Sequence, residues 1–254
     1  MLLENSNRAW AAYRASQEHS LRAYLLGQMA WSSAIQLQNL LVAEAIHYRR
    51  SSVVFCEHEP CITVGRQGSY RHVLLDLDEL RRRNWPVHWV NRGGGCWLHL
   101  PGQLALYLVV PLTSLGWSVA NYLQRLRQAL VDTVRDYLLP AEVPSAAETE
   151  VQVHGRPIAC LGVHVRQGVT RFGAVLNVGP DLTWYPFVRT SYGAPPMTSL
   201  ERECRRRIRP AEVRQFLLQH LCRQLEYSAV SVSLEHPWLM RRVNESAAIT
   251  SAPS

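Results

Sequence analysis

The segment from Asn91 to Gln103, NRGGGCWLHLPGQ, combines three consecutive glycines with an arginine before them and a histidine after them. Glycines bring bare backbone close to a ligand, and their N–H groups can form a nest for an anionic or carbonyl oxygen. Arg92 can add a forked cationic donor, and His99 can hydrogen-bond or transfer a proton near neutral pH. The segment therefore predicts an oxygen-binding site, with a tight turn that binds nothing as the alternative.

This segment does not match the common phosphate-binding loops. The GxxxxGK[ST] loop requires a lysine, and the spacing here does not fit GxGxxG either. All 27 residues of the Lys and Arg class are arginine, so the chain contains no lysine at all. No lysine ammonium or lysine general base is therefore available for any reaction.

The formal charge of +7 favours an acidic partner, either a nucleic acid or an acidic carrier protein. No nucleic-acid-binding motif is present, so we expect no nucleic-acid partner. The six cysteines, at positions 56, 61, 96, 160, 204 and 222, form no CxxC pair. We interpret them as reduced thiols and expect neither a bound metal nor a cofactor. No apolar run reaches about 18 residues and the N-terminus does not resemble a secretory signal, so we expect a cytoplasmic monomer without a membrane segment.

Strands and helices must position the glycine segment. Apolar spacing predicts strands at 87–90 and 104–110, a hairpin of 53–56 with 61–64, and a three-strand antiparallel meander over 150–178. It predicts helices over 26–45, from Asp76 or Asp78, from Ser118 and from Pro210. We expect one α+β domain with a mixed sheet over residues 22–235, after a partly ordered leader (1–21) and before a tail (236–254) that is disordered at its end.

The order of four segments resembles the octanoyltransferase family of lipoate biosynthesis, also called the lipoate–protein ligase B family. These segments are EHEPCITVGR, NRGGGCWLHLPGQLALYLVVPL, GRPIACLGVHVRQGVTRFGAVLNVGPDL and MTSL, and the resemblance runs from about Gln36 to Tyr227. It implies the fold of biotin and lipoate ligase catalytic domains, in which a larger mixed sheet, a smaller sheet and outer helices surround an acyl-binding cleft.

The resemblance also implies an activity and a set of binding residues. In this family an octanoyl group passes from acyl carrier protein to an enzyme cysteine and then to a lysine of a lipoyl domain, with an enzyme lysine as general acid and base. The positions that match the family's binding motifs are Arg92, Gly93, Gly94, Gly95, His99, Gly102, Gly162, Ala174, Leu176 and Asn177.

The family's two reactive residues are replaced in this chain. Ser191 stands at the position of the nucleophilic cysteine, and Pro157 stands at the position of the lysine. A serine hydroxyl is much harder to ionise than a thiol and needs a strong base, which a proline does not supply. His99 and His154 are the other residues that can act as a base, and structural roles are the alternative for both.

Other motif positions carry bulkier side chains than the family does. Trp97 and Leu98 replace Thr-Tyr before the motif histidine, Leu100 replaces a glycine after it, and Phe172 replaces a second histidine. We expect Trp97 and Leu100 to narrow the cleft that normally admits an eight-carbon chain.

Two cysteines remain as substitute nucleophiles. Cys96 follows the glycines and is the alternative nucleophile, with an inert buried thiol as the other interpretation. Cys160 lies three residues after Pro157, and strict alternation along a strand places these two side chains on opposite faces. We therefore do not expect Cys160 to replace the lost pair.

Three functions follow as hypotheses. The first is octanoyl transfer by altered residues, and the second is an inactive paralogue that keeps the fold and binds an acyl group, acyl carrier protein or lipoyl domain. The third is an adenylate-forming ligase, which we disfavour because those relatives also use a lysine. The residue chemistry alone favours loss of the family mechanism.

Overall fold

The computed structural model describes residues 19–144, 149–190 and 195–240, which form two sheets with helices packed against them. The strands are β1 (Ser20–Met29), β2 (Ser51–His58), β3 (Cys61–Val64), β4 (Val87–Trp89), β5 (Cys96–His99), β6 (Gln103–Val109), β7 (Ala141–Glu142), β8 (Glu150–Val153), β9 (Arg156–Arg166), β10 (Val169–Asn177) and β11 (Ala229–Ser233). The helices are α1 (Trp31–Tyr48), α2 (Leu77–Arg82), α3 (Leu112–Leu115), α4 (Val119–Arg135), α5 (Leu200–Cys204) and α6 (Pro210–Gln224).

The larger sheet has the strand order β11-β1-β2-β6-β10-β9-β8-β7. The pairs of β1 with β11 and with β2 are parallel, and the remaining pairs are antiparallel, so the sheet is mixed as predicted. The smaller sheet has the order β4-β3-β5. The fold class is therefore α+β, with one larger and one smaller sheet.

Each face of the larger sheet covers its own apolar core. On the helix side, Leu126 of α4 and Leu217 of α6 pack against strand residues such as Leu106. On the opposite side, α1 and the smaller sheet enclose a second core that includes Leu41 and Ile62. The glycine segment belongs to this second side, because β5 and its neighbours form part of the smaller sheet.

Helix boundaries and turns explain which local predictions are confirmed. Asp76 caps α2 by accepting the N–H of Glu79 at 2.7 Å, and Ser118 caps α4 by accepting the N–H of Asn121 at 3.1 Å. The meander β8-β9-β10 is antiparallel as predicted. Its turn at Gln167-Gly168 has positive φ at both residues, which suits a tight hairpin.

Two local predictions are wrong. The helix predicted from Leu26 begins at Trp31, because residues 20–29 form β1 and hydrogen-bond to strands on both sides. Pairing within a sheet overrides the helical spacing of the apolar residues there. The segments 53–56 and 61–64 do not form a hairpin, because β2 pairs in the larger sheet and β3 in the smaller one.

The predicted leader and tail lie mostly beyond the described ranges: residues 1–18 and 241–254 are not described. The strand β1 begins at Ser20, two residues before the predicted start of the domain. Within the described ranges, no helix has both the length and the apolar character needed to cross a membrane.

Candidate functional site

The glycine loop, Gly93–Gly95, lies directly on strand β9. The N–H of Gly93 donates to the carbonyl of Val163 at 3.0 Å. A Cβ atom on Gly162 would lie 2.5 Å from the Gly93 carbonyl oxygen, so this close approach requires a glycine in β9 as well. Since Gly162 pairs with Gly173 and Leu161 with Ala174, the loop and the strands over 155–178 meet at one place, as expected.

The other side of the glycine loop contacts the turn after β3. The N–H of Gly65 donates to the Gly95 carbonyl at 3.1 Å, and the Gln67 side chain accepts the N–H of Gly94. A Cβ on Gly95 would lie 1.5 Å from the Thr190 carbonyl oxygen. The loop is therefore held between β9, the turn after β3 and the chain at Thr190, immediately before residue 191.

Arg92 is the anchor of this loop. Its side chain is fully buried, and Nη1 donates to the carbonyls of Gly93 and Gly95 at 3.0 Å each. Nη2 donates to the carbonyl and the hydroxyl of Thr63 at 3.1 and 2.7 Å. Burial lowers the pKa of Arg92 to about 9, so the guanidinium stays protonated at neutral pH. The predicted cationic donor is therefore occupied by the protein's own backbone.

Trp97 fills the space above strand β9. Its ring lies 3.3 Å from the Arg92 guanidinium carbon, measured to the ring centroid, and only 5% of the residue is exposed. A Cβ on Gly162 would lie 2.9 Å from Cζ2 of this ring. Leu98 and Leu100 are buried as well. Trp97 therefore packs against the Arg92 guanidinium and Gly162, and the narrowing of an acyl cleft stays a prediction.

His99 is buried and hydrogen-bonded within the smaller sheet. Its Nε2 lies 3.0 Å from the Thr63 hydroxyl, which also accepts from Arg92. The Thr63 hydroxyl therefore bridges the Arg92 guanidinium and the His99 ring. Burial, followed by the nearby His58 and Arg92, holds the pKa of His99 well below its usual range. His99 is neutral and has little capacity to take up a proton at neutral pH.

His58 packs beside His99, with ring centroids 5.3 Å apart. Its Nδ1 lies 3.0 Å from the Met29 carbonyl, and its Nε2 lies 2.5 Å from the Tyr107 hydroxyl. Burial lowers the pKa of His58 to about 4, despite the opposing effect of the Met29 carbonyl. His58 was not predicted as a site residue from the sequence, because a lone histidine at the end of a strand carries no signal.

The low pKa of His58 predicts a loss of stability in acid. The unfolded state binds the proton at its ordinary pKa of about 6.5, so the free energy of unfolding should fall as the pH decreases from about 6.5 to 4. The total loss from this group is on the order of 3 kcal/mol. Urea unfolding at pH 7, 6, 5 and 4 measures it. His58→Gln should reduce the dependence of the free energy of unfolding on pH. His47→Gln, an exposed control on α1, should leave this dependence unchanged.

A β-bulge changes the face on which Cys160 lies. Gln152 pairs with Pro157 and Val151 pairs with Ala159, so Ile158 is an extra residue in β9. The bulge shifts the alternation, and Pro157 and Cys160 share the face toward the glycine loop. The prediction of opposite faces is therefore wrong. The Cys160 thiol is nevertheless buried, and burial together with Glu150 raises its pKa well above the ordinary value.

Cys96, the alternative nucleophile, points away from His99. The two residues lie on opposite faces of β5, and the Cys96 thiol donates to the Ser69 carbonyl at 3.4 Å. Burial raises its pKa. Within the described ranges, the hydrogen bond of this thiol goes to a backbone carbonyl and not to a basic side chain, which agrees with the inert interpretation.

The remaining predicted binding residues lie in three different surroundings. Ala174 and Leu176 turn their side chains into the helix-side core, whereas Val175 faces the opposite core, on the side of the glycine loop. Asn177 faces the site but is satisfied internally, by Gln103 at 2.8 Å and the Thr198 carbonyl at 2.9 Å. Gly102 joins the ends of the strands, because its carbonyl accepts the N–H groups of residues 178 and 179.

Residue 191 lies outside the described residues, as do residues 192–194. Its neighbour Thr190 is buried, and the Thr190 hydroxyl donates to the Glu150 carboxylate at 2.6 Å. Glu150 also accepts from Gln152 at 3.0 Å and pairs with Cys160 across the sheet. This hydroxyl–carboxylate pair was missed from sequence, because 40 residues separate its members.

Two grooves open beside the site. One, of about 500 Å³, lies between α1, β4 and the β9–β10 hairpin. The other, of about 440 Å³, lies between the start of α1 and the segment 83–88. Trp31 and His88 line both grooves, and their rings stack with centroids 5.8 Å apart. Neither groove is lined by Arg92, His99 or Asn177.

Solved structures of ligases share this fold. Lipoate-protein ligase A bound with ATP aligns with a TM-score of 0.65 at 17% identity, over 84% of this chain and 88% of that one. Biotin protein ligase from Aquifex aeolicus, in complex with biotin and ATP, aligns with a TM-score of 0.52 at 12% identity, over 81% and 70%. These likenesses establish the architecture expected from the sequence.

Sequence comparisons identify the family. The model of the lipoyl protein ligase A/B catalytic domain matches residues 32–222. An octanoyltransferase of Pseudomonas fluorescens is 34% identical over 206 residues, which cover 80% of this chain and 91% of that protein. An octanoyltransferase of Solibacter usitatus is 34% identical over 177 residues, covering 69% and 80%. The chain therefore belongs to the octanoyltransferase family of lipoate biosynthesis, within the lipoyl protein ligase A/B catalytic domain fold.

Proposed function

We propose that this chain transfers octanoyl groups from an acyl carrier protein to a lipoyl domain without the cysteine–lysine pair of its family. The observation that carries the proposal is the Thr190–Glu150 hydrogen bond of 2.6 Å, which lies beside the glycine loop and involves the residue that precedes Ser191 in the sequence. A hydroxyl held by a carboxylate base is one of the arrangements that activates a nucleophile.

The proposed reaction has two steps. The Thr190 oxygen attacks the thioester carbon of the octanoyl carrier, its proton passes to Glu150, and the C–S bond breaks. Glu150 returns the proton to the leaving thiolate, which leaves an octanoyl ester on Thr190. A lysine amine of the lipoyl domain then attacks this ester, an amide forms, and the Thr190 hydroxyl is regenerated.

A second function, binding of an acyl carrier protein or lipoyl domain without transfer, is favoured by Trp97. Its ring packs against Gly162 and occupies space above β9. In addition, position 157 holds a proline where the family has a lysine, and the chain has no lysine elsewhere. The fold would then serve as a binding scaffold.

Mass spectrometry after incubation with octanoyl carrier protein distinguishes the two functions. Transfer is supported if an octanoyl ester forms on Thr190 and the octanoyl group then moves to an added lipoyl domain. Thr190→Val should abolish the ester, whereas Thr183→Val, an exposed control, should leave it unchanged. Binding without any adduct supports the second function. An adduct on Cys160 or Cys96 would contradict the assignment of Thr190 as the nucleophile. If the protein shows no binding and forms no adduct, both functions are contradicted.

The charge of this chain predicts how it meets an acidic carrier protein. With a formal charge of +7 and no lysine, its arginines should speed association with acyl carrier protein and with lipoyl domains. We expect the association rate, measured by surface plasmon resonance, to fall about tenfold or more as salt rises from low to high concentration. Association that is absent at low salt, or that is indifferent to salt, would contradict this expectation.

A further inference from the structure

The groove of about 500 Å³ has an apolar floor outside the glycine-loop site. Trp31 and Ile35 of α1 and Phe172 of β10 form this floor. The volume falls within the range of about 300–1,000 Å³ that is usual for small-molecule sites. This apolar surface alone does not specify a ligand, but its rim does.

The rim of the groove is cationic. His164, Arg166 and Arg171 line it, and Arg171 lies directly opposite His164 in the register of β9 and β10. None of the residues that line the groove is a carboxylate. Among the described residues, the buried Nε atom of Arg171 has no hydrogen-bond acceptor, and Arg166 makes no ion pair. Positive groups are therefore concentrated here without a counter-charge.

This concentration is unfavourable in the empty protein. A half-buried cation without a partner costs more than an exposed one, and a second cation, Arg166, lies on the same face of the β9–β10 hairpin as Arg171. Burial, followed by Arg171, Arg66 and Arg166, lowers the pKa of His164. Burial and Arg166 lower the pKa of Arg171. Both shifts agree with a site of positive potential that a bound anion would relieve.

The floor is also held in an unusual conformation. Phe172 has a φ of +61°, a region that non-glycine residues rarely adopt, and its N–H donates to the Gln38 side chain at 3.0 Å. Its ring packs in the same core as Val169 and Val175, next to the Arg171 guanidinium at 5.4 Å. Strained residues of this kind concentrate at ligand sites. The strain here places an aromatic floor beside the cationic rim.

We propose that this groove binds an amphiphilic anion, with the anionic group at His164, Arg166 and Arg171 and the apolar chain against Trp31, Ile35 and Phe172. A medium-chain fatty carboxylate carries both parts, whereas the pantetheine arm of a carrier protein carries the anion, as a phosphate, on a more polar chain. The site lies outside the Thr190–Glu150 pair, so it does not depend on octanoyl transfer.

Calorimetric titration of the full chain with free ligands tests this proposal. Octanoate should bind at least tenfold more tightly than octanol, because only the carboxylate can engage the rim. The double variant Arg166→Gln/Arg171→Gln should weaken octanoate binding at least tenfold. The control Arg206→Gln/Arg207→Gln removes the same charge at exposed positions and should leave the affinity unchanged.

A second titration with 4′-phosphopantetheine identifies the source of the ligand. If it binds more tightly than octanoate, and loses affinity in the Arg166→Gln/Arg171→Gln variant, the anion is the phosphate of a carrier arm. If octanoate binds more tightly, the ligand is a fatty carboxylate. Circular dichroism checks that the variants fold. The proposal fails if neither compound binds, or if their binding is the same in the rim variant and in the control.

Discussion

Restoring the family's reactive pair should produce an octanoyl thioester at residue 191 in two steps. Ser191→Cys alone should give a weak adduct, because the new thiol lacks a base. Adding Pro157→Lys should raise the rate of acylation by about 10²–10⁴-fold, the usual value of general acid–base assistance. The position suits this role, because Pro157 faces the glycine loop and pairs across the sheet with Gln152, next to Glu150.

Trp97 should limit this rescue, since its ring occupies the space above Gly162. Adding Trp97→Thr should therefore raise the acylation rate of the double variant further. Intact-protein mass spectrometry over time measures these rates, and neutral hydroxylamine, which cleaves thioesters faster than oxygen esters, confirms the bond. Pro157→Lys with Ser191→Ala is the matched control and should form no thioester. If Pro157→Lys adds nothing to Ser191→Cys even with Trp97→Thr present, the assignment of position 157 is wrong.

Replacing Arg92 should destabilise the fold more than any other single change at the site. Arg92→Met would remove the buried guanidinium that donates to the carbonyls of Gly93, Gly95 and Thr63, and of these the Gly95 carbonyl would keep its bond from the Gly65 N–H. A buried polar group left without its partner costs about 1–3 kcal/mol, so the loss of these hydrogen bonds should cost on the order of 3–5 kcal/mol in all. For a chain of this size the melting temperature should fall by roughly 6–20 °C.

The control for this change is Arg66→Met, which removes an exposed arginine next to the same loop. It should shift the melting temperature by no more than a degree or two, since surface substitutions usually stay within about ±0.5 kcal/mol. Arg92→Lys should fall between the two, because an ammonium keeps the charge but loses the fork. Equal melting temperatures for Arg92→Met and Arg66→Met would show that Arg92 does not anchor the loop.

The family resemblance implied the two-sheet architecture, and several of its elements were predicted from signals that are local in the sequence. The caps at Asp76 and Ser118 and the alternation of the 150–178 meander each specify an element from neighbouring residues. The sequence did not predict β1, because a strand paired in parallel on both sides shows no simple alternation. Such pairing depends on residues far away in the chain.

The site was predicted only in part for a similar reason. The glycine loop is a local signal and lies where the motif placed it. Arg92 bonds to the Thr63 carbonyl, 29 residues away, and Thr190 bonds to Glu150, 40 residues away. The bulge at Ile158 depends on a single irregularity in the pairing of β8 with β9. Single-sequence spacing contains no information on such contacts.

The anchoring of the glycine loop also bears on its motion. Three consecutive glycines suggest the most mobile backbone in a chain, yet here each makes a backbone contact and Arg92 ties them to the smaller sheet through Thr63. A segment that is hydrogen-bonded to a buried sheet in this way becomes exposed to solvent only when that sheet also opens. In amide hydrogen exchange, the amides of Gly93 and Gly94 should therefore exchange as slowly as those of β3 and β5, so that the loop and the smaller sheet open together.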